Sequence, residues 1–267
     1  MDKKIITVFS NDTQLSTESR VLMVRLLHDK GYEVTREYTD KTSLIVCIGG
    51  DGSFLETVHK CDFPDCPIVG INTGHLGFFQ EIHPSQIAEF VENYDNGNYS
   101  VQELNTVEYT VTTADGTTAS NYGLNEVTIS GHVSTTIHMR ISIDNKTIEK
   151  FSGSGITVST SAGSTAYNYS LGGSIVDPRL KVMQVTPIAP INTTAYRSLT
   201  SSIMLPSDLP LGIHPERAKN EICINYDGIT AVYKDVTDIR VEIPDRTVKL
   251  IRFKDYDFWD KVKDKFL

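Results

Sequence analysis

The sequence predicts an α/β domain followed by a mostly antiparallel, β-rich domain, and three observations predict it. Through the first hundred residues, short apolar runs alternate with segments of helical periodicity. From about residue 100 the runs become β-branched or alternating and are punctuated by Asp-Gly and Asp-Asn pairs. The last dozen residues return to helical spacing. The expected domains are 1–99, 100–250 and a helical tail, 251–267, that docks on the body.

Each element follows from its own pattern. "KIITVFS" is a short β-rich run, and residues 15–30 are an apolar-rich helical segment stopped at Gly31. "SLIVCI" is continuously apolar, as expected of a parallel strand covered on both faces. The following helix has Ser53 and Glu56 spaced as a capping box, with Phe54, Leu55 and Val58 on one face. "CPIVGIN" repeats the buried-strand pattern, and "HPSQIAEFVENYDNG" places Ile87, Phe90, Val91 and Tyr94 at helical spacing between Pro84 and Gly97. Later, "VEYTVTTADGTTAS", "IHMRISIDNKTIEKF" and "KNEICINYDGITAVY" read as hairpins, while "NEVTISG" and "DIRVEIPDRTVKLIRF" are further strand runs. In the tail, Phe258, Trp259, Val262 and Phe266 share a helical face that reads as core packing.

Composition excludes several classes. With 267 residues, 39% hydrophobic and 22% charged, the chain can bury a substantial core. A net charge of −9, without a basic run, argues against a nucleic-acid surface. No secretory leader or membrane-length apolar stretch is visible, so a cytoplasmic protein without membrane contact is expected. Cys47, Cys61, Cys66 and Cys223 lack zinc spacing and read as reduced thiols; His59, His75, His83, His132, His138 and His214 show no metal-ligand spacing. No protein-held metal site is expected.

Two stretches carry chemistry. In "SLIVCIGGDGSFLETVHK", Asp-Gly joins a buried strand to a helix rather than two hairpin strands. That junction lies at a strand's carboxyl end, where open α/β sheets bind ligands. Gly49, Gly50 and Gly52 let backbone N–H groups approach an anion, and the helix start adds partial positive charge. Asp51 then faces a hydroxyl to be deprotonated or a magnesium ion. The Lys-Ser/Thr of a P-loop is absent. The second stretch, "GSGITVSTSAGSTAYNYSLGG" (153–173), reads as a half-buried strand, then small residues up to Ser164 as cap of a helix ending near Gly172. It either lines a pocket for a polar, planar ligand or is a plain loop and helix start.

Together "GGDGSFLETVH" (49–59), "GINTGHLGFF" (70–79), "LNEVTIS" (124–130) and "STSAGSTAYNYSLGG" (159–173) resemble, in order and interval, the signatures of NAD kinases. The likeness covers nearly the whole chain. It implies transfer of the ATP γ-phosphate, with Mg2+ or another divalent metal on the phosphates and no tightly bound organic cofactor, to the 2′-hydroxyl of the adenosine ribose of NAD. Asp51 matches the family's base, Gly52 its phosphate loop, and Phe78 the aromatic residue flanking the adenine region. Asn125 and Glu126 match the pair that holds the adenosine portion. Thr165, Ala166, Tyr167 and Ser170 match the second nucleotide-binding loop, Ala189 a residue near the nicotinamide, and Asp227-Gly228 a turn that an ordinary hairpin explains equally well.

Two departures fall at the nicotinamide end. "SGSG" places Ser152 and Ser154 where a basic and an acidic side chain are usual, and "TSAG" has Ser161 and Ala162 in place of a proline and a hydroxyl residue. The resemblance also implies a nucleotide cleft between the domains and a homodimer or homotetramer, with Ser154 and Ala189 near a subunit boundary. Two other readings are a lipid or sugar kinase sharing only the glycine-aspartate loop, and a non-catalytic dinucleotide sensor.

Overall fold

The computed structural model describes residues 4–132, 135–216, 221–254 and 256–267. The chain forms two compact units, Met1–Leu104 with Thr247–Leu267, and Asn105–Arg246.

The first unit opens as β1 (Ile5–Ser10), α1 (Gln14–Asp29), β2 (Glu33–Thr35), β3 (Thr42–Gly49), α2 (Asp51–Lys60), β4 (Ile68–Asn72), α3 (Ile87–Asp95) and β5 (Ser100–Asn105). Thr13 caps α1, its side chain accepting from the Ser16 N–H at 3.3 Å, and Gly31 follows at φ +86°. In β3 the side chains of Leu44, Ile45, Val46 and Ile48 are fully buried, as a strand covered on both faces requires. α2 corrects the sequence reading: it starts at Asp51 with Gly50 as N-cap and no side-chain cap, so Ser53 and Glu56 form no capping box. Ser53 lies inside the first turn, where its hydroxyl can no longer reach the N–H groups that a cap serves. A 3-10 turn, Pro84–Gln86, leads into α3, which buries Ile87, Phe90, Val91 and Tyr94.

The second unit contains β6 (Val107–Thr113), β7 (Thr118–Gly123), β8 (Glu126–Gly131), β9 (Ile137–Ile143), β10 (Lys146–Gly153), β11 (Gly155–Thr160), α4 (Tyr167–Ser170), β12 (Val182–Ile188), β13 (Ile203–Pro206), β14 (Leu211–Pro215), β15 (Ile222–Tyr226), β16 (Ile229–Tyr233) and β17 (Val236–Glu242). They build two six-stranded antiparallel sheets, ordered β10-β9-β14-β17-β6-β7 and β13-β12-β11-β8-β15-β16. Tyr109, Met139 and Ile239 from one sheet share a core with Ile129, Val158 and Ile224 from the other. Asp144 and Asn145 turn the β9–β10 hairpin at φ +48° and +62°, and Asp227 and Gly228 turn β15–β16 at +48° and +88°. These are the left-handed conformations for which short polar residues and glycine are suited.

Two expectations for 153–173 are revised. All six residues of β11 are buried: the strand is central in its sheet, between β12 and β8, and Ile156 and Val158 pack into the core shared with the opposite sheet. The helix expected from Ser164 is instead a 3-10 turn, Ala162–Thr165, followed by the single helical turn α4. Ser164 is fully buried inside that turn, donating to the Val176 carbonyl at 3.1 Å and accepting from the Val176 N–H at 2.9 Å, so it is not available as a cap.

The chain then returns to the first unit as β18 (Thr247–Arg252) and α5 (Phe258–Phe266). β18 completes a sheet ordered β2-β1-β3-β4-β18-β5, lying parallel to β4, with Val248, Leu250 and Ile251 buried. The unit boundaries thus fall after Leu104 and before Thr247, where the sequence reading divided the chain at 99 and 250. Asp257 caps α5 by accepting from the Trp259 and Asp260 N–H groups. Phe258 is buried, whereas Trp259, expected on the packed face, is half exposed.

Candidate active site

The first unit places β2 on one side of β1 and β3 on the other, which opens a crevice at the carboxyl ends of β1 and β3. A hollow of about 250 Å³ lies there, lined by Ser10, Asn11, Ser53, Glu56 and Lys60 among others. Asp51 begins α2 at this edge. Its carboxylate accepts the Phe78 N–H at 2.9 Å on Oδ2 and the Phe79 N–H at 3.1 Å on Oδ1. So tight a seat depends on Gly77: a Cβ there would press on Asp51 Oδ1 and lie 2.6 Å from its Cγ. Gln80, fully buried, donates to the Gly50 carbonyl at 2.7 Å.

Arg252 fixes the same loop from behind. It donates to the Phe78 carbonyl at 3.1 Å, to Glu81 at 3.2 Å and to Gln102 at 2.9 Å, and lies 3.5 Å from the Tyr256 ring centroid. Burial lowers the Arg252 pKa and raises that of Glu81, and each is partly countered by the other's charge. Gly50 and Gly52 have open space where a Cβ would stand, leaving their backbone accessible to an anion. Phe78 is buried, its ring against Phe258 and Phe266.

The second unit builds its candidate site around the turn before β8. The Asp227 carboxylate accepts the N–H groups of Leu124 at 2.6 Å, Asn125 at 2.8 Å and Glu126 at 3.4 Å. This hairpin residue therefore holds the backbone that presents the Asn-Glu pair. From the other side Thr160 donates to the Leu124 carbonyl at 2.7 Å and receives the Gly163 N–H at 3.0 Å. Gly163 packs on Asn125 so closely that a Cβ would lie 2.6 Å from the Asn125 Cα.

Asn125 and Glu126 are 7% and 8% exposed, and their Asn125 Oδ1 and Glu126 Oε2 atoms have no hydrogen-bond partner. Burial, and then the nearby Asp227 charge, push the Glu126 carboxyl up to about 8; the Tyr167 N–H, donating to it, pulls the other way. Two buried oxygens without partners are costly unless a ligand's donors meet them.

The remaining sequence-derived residues divide into two groups. Buried Ala162, half-buried Thr165 and Ala166, and exposed Tyr167 and Ser170 follow β11 and lie on the turn beside Glu126. Ser154 and Ala189 are instead at the opposite end of β11, both exposed, where the Ser154 N–H donates to the Ile188 carbonyl at 3.0 Å and Ala189 adopts φ +44°. The six residues of β11 separate these groups by roughly 16 Å along the strand.

Residues 4–99 match the family model described as the ATP-NAD kinase N-terminal domain, and residues 124–253 the one described as the ATP-NAD kinase C-terminal domain. The chain belongs to the ATP-NAD kinase family. A relative named NAD kinase from Finegoldia magna is 39% identical, with 100% of this chain and 99% of that protein covered. NAD kinase 2 from Halalkalibacterium halodurans is 34% identical at the same coverage. The fold resembles the crystal structure of yeast NADH kinase complexed with NADH, with a TM-score of 0.85, 19% identity, and 98% and 87% of the two chains covered. It also resembles an NAD kinase from Archaeoglobus fulgidus in complex with ATP, with a TM-score of 0.78, 21% identity, and 97% and 98% covered.

Within this family member, sequence reasoning missed Gly77, Gln80, Gly163 and Arg252. Gly77 and Gly163 stand inside motifs already singled out, so only the atoms they must admit were hidden. Gln80 and Arg252 lie in apolar or strand-like stretches that give no local sign of a polar partner.

Proposed function

We propose that this chain, a phosphotransferase by its family, transfers the γ-phosphate of ATP to the 2′-hydroxyl of the adenosine ribose of NAD, giving NADP and ADP. Asp51 accepts the hydroxyl proton as the ribose oxygen bonds to the γ-phosphorus and the bond to the β,γ-bridging oxygen breaks, with that electron pair leaving on ADP. The backbone of Gly49, Gly50 and Gly52 meets the phosphates, and Asn125 and Glu126 hold the adenosine portion of NAD. Thr165, Ala166, Tyr167 and Ser170 line the dinucleotide, with Ala162 in the same turn.

The observation that carries this reading is the pair of buried, unpartnered oxygens, Asn125 Oδ1 and Glu126 Oε2, which the amino and hydroxyl donors of an adenosine would satisfy. The nucleotide enters as its divalent-metal complex, magnesium being the expected ion.

The protein works as a homodimer or homotetramer in the cytoplasm. Exposed apolar side chains on the edge strands of the second unit, Ile148, Met204, Ile229 and Val232, support association through that unit, and Ser154 and Ala189 are exposed there for a neighbour's nicotinamide end. No helix among the described residues is long and apolar enough to cross a membrane. Light scattering coupled to size exclusion tests the assembly; a fully active monomer would overturn it. The activity is tested by incubating the protein with ATP, magnesium and NAD, then measuring NADP. Phosphorylation of diacylglycerol or a sugar phosphate, with NAD untouched, would refute the reading.

A further inference from the structure

The C-terminal helix brings a cation to the carboxylate of Asp51. Phe258 and Phe266, at the two ends of α5, pack on the Phe78 ring with centroids 5.7 and 6.0 Å away, so the helix is pinned to the loop that seats Asp51. Lys265, in its last turn, places Nζ 3.9 Å from Asp51 Oδ2 and 5.1 Å from the Phe78 ring centroid. Its ammonium donates to the Leu76 carbonyl at 3.0 Å. The separation from Asp51 exceeds a closed charge-assisted hydrogen bond, which is about 2.8 Å long. Of its three N–H groups, one is used at Leu76, and the side chain keeps 34% of its exposure.

This arrangement does little for the fold, because partly exposed ion pairs contribute little stability. Nor does a cation take the hydroxyl proton, which is the carboxylate's part. It suits the other half of the reaction. A hydroxyl within hydrogen-bond reach of Asp51 has the γ-phosphorus about 3–3.5 Å beyond it at the start of transfer, so a cation beside Asp51 stands within one side-chain swing of the phosphoryl oxygens. Lys261, one turn earlier and on the same face of α5, adds to the positive field around Asp51; burial lowers its pKa, against the opposing charges of Glu81 and Asp51.

We propose that Lys265 is a further catalytic residue, its ammonium neutralising the phosphoryl group as it passes from ATP to the hydroxyl held at Asp51. The inference rests on the kinase reading above and adds a chain-terminal cation to it. It predicts that α5 belongs to the phosphate side of the reaction and leaves NAD recognition to the second unit.

The test compares wild type, Lys265→Met, Lys265→Arg and Lys263→Met, the last removing the same charge elsewhere on the helix. Steady-state kinetics with ATP, magnesium and NAD, calorimetric titration of NAD and thermal unfolding are measured on each full-length protein. Lys265→Met is expected to lower kcat about 10- to 150-fold, the scale of one lost hydrogen bond to a charged group, with NAD affinity and Tm unchanged. Lys265→Arg regains all but about threefold, and Lys263→Met stays within about twofold of wild type. Lys265→Met within twofold of wild type overturns the proposal, as does a faster Lys265→Met enzyme, which would make the contact a resting-state latch. A loss in Lys265→Met that follows a fall in Tm overturns it as well. In each of these cases wild-type NADP formation still upholds the kinase reading; a wild type that makes no NADP sinks both.

Discussion

Replacing Glu126 by Gln tests the electrostatics of the proposed dinucleotide site without substrate. The Glu126 carboxyl is pushed from the ordinary value of 4.5 up to about 8, first by burial and then by the Asp227 charge. Between those two values the unfolded chain gives up a proton that the folded chain keeps. Stability therefore falls as pH rises from about 4.5 to about 8 and levels off above, the reverse of a carboxylate held low by a salt bridge. At about 1.4 kcal/mol per unit the shift sets a ceiling near 5 kcal/mol, and relaxation and water entry on ionisation bring the expectation to about 2–3 kcal/mol. Gln has the same shape and cannot ionise. Urea denaturation of both proteins, followed across the same pH range, should give nearly equal stabilities at about pH 5 and a Glu126→Gln variant about 2–3 kcal/mol more stable at about pH 9. A difference constant within about 0.5 kcal/mol over that range would refute the reasoning.

Asp51→Asn keeps the shape and one acceptor oxygen but cannot take the hydroxyl proton. Turnover should fall by about two to four orders of magnitude while calorimetry still registers NAD binding. Gly77→Ala drives a methyl group into the Asp51 carboxylate, so kcat should fall at least about 10-fold with NAD affinity kept. Unchanged kcat would mean that the loop yields and Asp51 is not held by it. Asp227→Ala removes the acceptor of three backbone N–H groups behind Asn125 and Glu126. It should weaken NAD binding by roughly 1–3 kcal/mol and destabilise the second unit by a similar amount; equal affinity by titration would confine Asp227 to its hairpin.

Local chemistry made much of this protein readable before folding. The α/β grammar of the first hundred residues and the hairpins of the next hundred and fifty rest on neighbouring residues: buried-strand runs, helical spacing, and Asp-Gly and Asp-Asn pairs suited to left-handed turns. The four motifs carried the family resemblance, and they singled out Asp51, Asn125 and Glu126 as candidates because polar residues of those types stand where a helix or strand begins.

What the tertiary structure alone decided depends on contacts between residues far apart in the chain. β18 reads as one more strand of the β-rich half, yet it joins the parallel sheet beside β4, since a strand's composition does not name its partner. Ser164 has the chemistry of a cap, but Val176, twelve residues on, takes its hydroxyl and buries it. Gly77 and Gly163 matter through the atoms they allow to approach, which no spacing announces. Asp227 looks like any hairpin corner, and only the folded sheet brings its carboxylate to the backbone about a hundred residues earlier that carries Asn125 and Glu126. Lys265 belongs to an ordinary amphipathic tail by sequence; it meets Asp51 because two aromatic rings dock that tail on the Phe78 loop. Sequence set the local conformations and the reactive groups, and long-range packing fixed their partners and what each buried polar atom was left to bind.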